Sequence, residues 1–124
     1  MKNLAQMLED IRKVLPEVWG IAVVDEEGFP IDYALARHLE MEDPIILGGL
    51  LASAVDLMER LLGELADSSL KVIYSKGDKL IMVAGKVTNG SFTLLADTNV
   101  NIGPLLMLFR EYKAKIEEFM RNIV

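Results

Sequence analysis

The chain offers few residues that could do chemistry. One histidine and no cysteine stand among its 124 residues, so a zinc site has no ligand set, and disulfide and thiolate chemistry are excluded. His38 lies with Arg37, Glu40 and Glu42 in a polar connection and reads as an exposed imidazole rather than a general base. Asp25-Glu26-Glu27 could supply oxygen ligands, but calcium loops space their ligands along a longer loop, so the trio reads as a solvated hairpin tip. Gly85-Lys86-Val87-Thr88 is the nearest approach to a phosphate-binding loop. It lacks the upstream glycine and has Val87 where a hydroxyl must hold magnesium, so it reads as strand. Asn89-Gly90-Ser91 fits a glycosylation acceptor, yet turn chemistry already accounts for Asn-Gly. Trp19 reads as a sheet residue packed under a helix and Asp97 as the brace of a loop. No nucleophile with an adjacent base stands out, so no catalytic, cofactor-binding or metal-binding residue is expected, and the chain reads as non-enzymatic.

Composition narrows the class further. The hydrophobic fraction is 52% and the charged fraction 26%, enough apolar side chain to bury one core, and the length fits a single domain over residues 1–124. A formal charge of −6 opposes phosphate backbones, and no Lys/Arg cluster offsets it, so nucleic acid is not expected as a partner. The longest apolar stretch, Pro44 to Val55, is too short and too interrupted by glycine for a bilayer. The N-terminus carries acids where a signal peptide would be apolar. The expected location is the reducing cytoplasm.

The remaining residues must then be read as scaffold. Leu4, Met7, Leu8, Ile11, Val14 and Leu15 recur at helical spacing between Asn3 and Leu15, and Pro16 stops the run. Val18 to Asp25 and Pro30 to Ala36 read as two strands joined by Glu26-Glu27-Gly28, whose glycine can take positive φ. Asp43-Pro44 opens a second helix running to about Leu65. Leu70 to Ser75, Lys79 to Val87 and Ser91 to Asp97 form a three-stranded meander. Asn101 and Gly103-Pro104 open a last helix whose stripe is Leu105, Leu108, Phe109, Tyr112, Ile116, Phe119 and Ile123. The order is α-β-β-α-β-β-β-α. Because Ile21 to Val24 and Leu80 to Ala84 are apolar on both faces, helices must cover both sides of a five-stranded antiparallel sheet, the first and last on one face and the middle one on the other.

The middle helix carries more apolar surface than a sheet contact needs. Stepping about 100° per residue spreads Ile46, Leu47, Leu50, Leu51, Ala54, Val55, Leu57, Met58, Leu61, Leu62 and Leu65 over about 180°. Gly48 lies at the edge of that arc, where a helical glycine is best explained by another backbone approaching; Gly49 falls outside it. Self-association through this helix follows, the plainer alternative being that Tyr33 to Met41 folds over it.

Three blocks of sequence resemble the Roadblock (dynein light chain seven) family. Gly20-Ile21-Ala22-Val23-Val24-Asp25-Glu26-Glu27-Gly28-Phe29-Pro30-Ile31 looks like its first hairpin, and GGLLASAVDLMERLLGEL, from Gly48 to Leu65, like its central helix. Leu94-Leu95-Ala96-Asp97 with Asn101-Ile102-Gly103-Pro104-Leu105-Leu106 resembles its last strand and the entry to its final helix. The resemblance implies a homodimer with middle helices packed across the dyad and third strands joined into one sheet. Leu47, Gly48, Gly49, Leu50, Leu51, Ala54, Met58, Val72 and Tyr74 would then line the dimer or partner interface. It also implies a regulator or scaffold that binds a Ras-like small GTPase, with faster GTP hydrolysis among the effects of some bacterial members. The alternatives are a scaffold for a non-GTPase partner and a small-molecule sensor. Arg60 is a candidate GTPase contact, although i,i+4 pairing with Asp56 and Glu64 is its preferred reading.

Overall fold

The computed structural model describes residues 3–39 and 43–122. Its elements follow the expected order: α1 (Leu4–Val14), β1 (Val18–Asp25), β2 (Pro30–Leu35), a 3-10 turn (Arg37–Leu39), α2 (Pro44–Ala66), β3 (Ile73–Lys76), β4 (Ile81–Val87), β5 (Gly90–Ala96) and α3 (Ile102–Asn122). Ile123 of the expected α3 stripe, and Glu40, Met41 and Glu42 of the connection into α2, lie outside the described residues.

Local chemistry sets the element ends. Asn3 caps α1 through a capping box with Gln6, and Asp32 of β2 accepts from the Leu4 amide at 3.2 Å, so the free N–H groups of the first turn are met from two sides. Asp43 caps α2 by accepting from the Ile45 amide at 3.0 Å, with Pro44 at the first helical position. In the first hairpin turn Asp25 Oδ1 accepts from the amides of Glu27 and Phe29, and Gly28 takes φ 91°. Asp97 braces its loop by accepting from the Asn99 amide.

The sheet is antiparallel in the order β2-β1-β5-β4-β3. Alternation divides it into two faces. Ile21, Val23, Val83, Phe92 and Leu94 meet Leu8 and Ile11 of α1 and Leu105, Phe109 and Ile116 of α3 in the main core. Ala22 and Val24 meet Leu51 of α2, and Ala84 meets Val55 and Leu70. The helices therefore divide as expected, two on one face and α2 alone on the other. The α3 stripe gains Met120, which is buried, while Leu108 and Phe119 are half-buried.

Two expectations change. The third strand begins at Ile73 rather than Leu70, because the Leu70 amide donates to Glu59 Oε2 of α2 at 2.7 Å and its side chain turns under that helix. Trp19 is half-buried on β1, its ring perpendicular to that of His38 of the 3-10 turn, with 4.4 Å between centroids.

Beneath α2 the Thr93 hydroxyl is buried, at 1% residue exposure, with no hydrogen-bond partner. Its cross-strand neighbours are Ala22 and Ala84. A hydroxyl in that setting costs about 1–3 kcal/mol, and removing it at nearly constant volume recovers part of this. Thr93→Val is therefore expected to stabilise the fold by about 1 kcal/mol, read as a higher midpoint in urea unfolding.

Candidate interaction face

The residues that could engage a partner are set by how α2 lies on the sheet. Gly48, Leu51 and Val55 face inward and are buried, with Leu47 and Leu62 half-buried beside them. Gly48 is held by the chain itself: a Cβ there would collide with the Gly28 carbonyl oxygen and come within 3.1 Å of Pro30 Cδ. The backbone expected to approach this glycine belongs to the β1–β2 turn. Gly48 and Leu51 are thus spent inside the protomer and leave the set of surface residues.

On the far side the same helix is bare. Ile46, Leu50, Leu57, Met58, Leu61 and Leu65 are exposed, Leu50 by 64% and Leu65 by 75%. At about 100° per residue they share one arc of about 120°. Ala54 lies half-buried within it, and Gly49 sits half-buried outside it. Ile46, Leu57, Leu61 and Leu65 belong to the apolar arc read from sequence but not to the expected interface. The identifying signal is subtraction: once Gly48, Leu51 and Val55 fix the inward direction, the other half of the arc must face out.

The strand part of the expected interface stands at the sheet edge. Tyr74 pairs with Val83, a residue of the α1/α3 core, so Tyr74 lies on the sheet face opposite α2, and Ile73 turns toward α2. Val72 and Tyr74 are each 44% exposed. Tyr74 thus stands on the α1/α3 side of the edge strand β3, and Val72 lies in the segment just before that strand. Arg60 is exposed, and among the described residues no ion pair joins it to Asp56 or Glu64.

Among the described residues no group of three or more His, Asp or Glu side chains is gathered closely enough to hold a metal ion. Gly85, Lys86 and Val87 lie within β4 and Thr88 in the turn that follows. No helix among the described residues is long and apolar enough to cross a membrane.

Helices on both faces of an antiparallel five-stranded sheet, with two edge strands, β2 and β3, and one bare flank of α2 among the described residues, define an α+β domain of the Roadblock type. Residues 4–96 match the Roadblock/LC7 domain, and the chain belongs to that family. Its fold is similar to that of Myxococcus xanthus MglB, with TM-score 0.79, 14% identity, and coverage of 98% of this chain and 100% of that one. An MglB described with a tetrameric arrangement gives TM-score 0.82 at 14% identity, covering 98% and 90%. A Roadblock/LC7 domain from Streptomyces avermitilis gives 0.73 at 10% identity, covering 93% and 98%. None of the curated proteins matches the chain in sequence.

Proposed function

We propose that the chain is a non-enzymatic, homodimeric regulator or scaffold of the cytoplasm that binds a Ras-like small GTPase. Two observations carry the dimer: the apolar flank of α2 is bare, and β3 is an edge strand with no neighbour on one side. Burying a leucine side chain is worth about 1.5–3 kcal/mol, and a two-fold arrangement brings each exposed leucine of α2 into the interface twice. Pairing of β3 with its symmetry mate satisfies edge N–H and C=O groups in the same step. The other edge, β2, opens on Pro30, which has no N–H, and its Asp32 carboxylate is engaged with α1.

Membership of the Roadblock/LC7 family supports the GTPase as partner. The partner supplies the nucleotide, and the regulator acts by holding the GTPase's switch loops in one arrangement. The tetrameric arrangement described for an MglB supports assembly of dimers into larger units. Arg60, exposed and unpaired with its helical neighbours, is free to contact that partner.

The test is retention from native lysate on the tagged protein, with GDP or a non-hydrolysable GTP analogue present, read by mass spectrometry. A small GTPase retained preferentially with one nucleotide is expected. Retention of other proteins alone, indifferent to nucleotide, contradicts the reading and favours a scaffold for a non-GTPase partner. With the GTPase in hand, Arg60→Ala is expected to weaken its binding about tenfold at unchanged dimer mass; undiminished binding removes Arg60 from the contact.

A further inference from the structure

The opposite flank of α2 borders a cleft of about 490 Å³, within the size range of small-ligand sites. It lies at the end of the sheet where both hairpins turn. Asp25, Glu26 and Glu27 of the first turn, Asp56 of α2, and Lys86 and Ser91 of the second hairpin line it. The lining is acidic in balance, because the one lysine already faces Glu59, with Lys86 Nζ 3.8 Å from Glu59 Oε1.

A second observation is independent of charge. Ser91 is 3% exposed and its Oγ has no hydrogen-bond partner. It sits opposite Val24 and Lys86 in the ladder, on the α2 side of the sheet, and so turns toward the cleft. Thr93, on the same face of β5, is also unpartnered but does not line the cleft. A buried hydroxyl bordering an open, acidic cleft is an acceptor waiting for a donor, and the donors that suit carboxylates are cationic N–H groups. Among the described residues the acids are not gathered in a group that could hold a metal ion. Separated carboxylates suit an extended cation with several N–H groups better than a single ion.

We propose that this cleft binds an organic cation carrying ammonium or guanidinium groups, either a free polyamine or a basic side chain presented by a partner. Asp56 and the Glu26-Glu27 tip face its charge, and Ser91 Oγ accepts one of its N–H groups. At 100° per residue Gly49 and Asp56 lie about 120° and 140° from the centre of the exposed apolar arc, with Ser53 about 20° beyond its edge. The site thus stays open when that arc is covered, and it does not rest on the GTPase reading.

The experiment titrates the isotope-labelled full chain with spermidine and, separately, with N-acetylarginine amide, each against sodium chloride of matched ionic strength, and follows backbone amide shifts. Saturable shifts at residues 25–28, 49–56 and 86–91 are expected, absent with salt alone. Asp56→Asn, at an exposed position, and Ser91→Ala are each expected to weaken binding at least fivefold, while Thr93→Val leaves it unchanged. Tighter binding of spermidine assigns a free polyamine, and tighter binding of the arginine analogue assigns a presented side chain. Shifts that salt reproduces, that spread over the acids of α3, or that survive both Asp56→Asn and Ser91→Ala overturn the proposal.

Discussion

Gly48→Ala is expected to lower the stability of the fold by about 3 kcal/mol and its midpoint of thermal unfolding by roughly 10 °C. In an ordinary helix interior the same change would stabilise by about 1 kcal/mol, since alanine is the better helix former. Here the added methyl has no room. It would overlap the Gly28 carbonyl oxygen and crowd Pro30, and neither can yield easily. Gly28 is fixed at φ 91° by the turn, whose Asp25 carboxylate binds two amides of the same loop. Relief would require α2 to lift from the hairpin, exposing Ala22, Val24 and Leu51. Gly49 and Gly63 provide the contrast, for a Cβ at either position meets nothing within 4 Å. Gly63→Ala is accordingly expected to gain up to about 1 kcal/mol. Thermal unfolding of Gly48→Ala and Gly63→Ala beside the unaltered protein checks the account. Equal effects at positions 48 and 63 would mean that the close approach of turn and helix does not govern stability.

Leu57→Asp is expected to raise the dissociation constant of the dimer at least 100-fold, about 2.7 kcal/mol, while leaving the protomer folded. Leu57 is 58% exposed and sits within the bare arc of α2, so a carboxylate there touches no part of the protomer core. In the dimer it would be removed from water without a partner, and the symmetry would place two such charges in one interface. Val14→Asp, near the end of α1, and Met107→Asp, in the first turns of α3, are matched controls. Both residues are large, apolar and more exposed than Leu57, yet lie outside the proposed interface. Analytical ultracentrifugation across a dilution series should separate Leu57→Asp from both. A Leu57→Asp protein that dissociates no more readily than the controls would place any self-association elsewhere on the molecule.

Much of the fold was legible because local rules and long-range packing agree along this chain. The cap at Asp43, the stop at Pro16, the positive φ of Gly28 and the two-sided apolar strands each required a feature that the structure contains. The misplaced start of β3 had a different origin. Leu70 to Val72 has the composition of a strand, but its pairing was decided by a carboxylate eleven residues earlier, Glu59, which takes the Leu70 amide. No local pattern carries that information. The interaction face was legible in extent but not in membership. The width of the apolar arc on α2 implied more surface than the sheet could cover, yet sequence spacing does not say which half of an arc faces inward. Gly48 shows why: its small size marked a close backbone approach, and only the three-dimensional path of the β1–β2 turn shows which backbone arrives. Ser91 and Thr93 carried no signal at all, since an alternating polar residue in a strand usually faces water, and these two face the underside of a helix.

The mass of the purified chain in solution, measured by light scattering over a range of micromolar concentrations, tests the central claim most directly. The account predicts twice the 13.8 kDa chain mass, or a multiple of that dimer, persisting on dilution. A species of 13.8 kDa at every concentration would mean that the apolar flank of α2 and the edge of β3 are left uncovered by a second copy, and would contradict it.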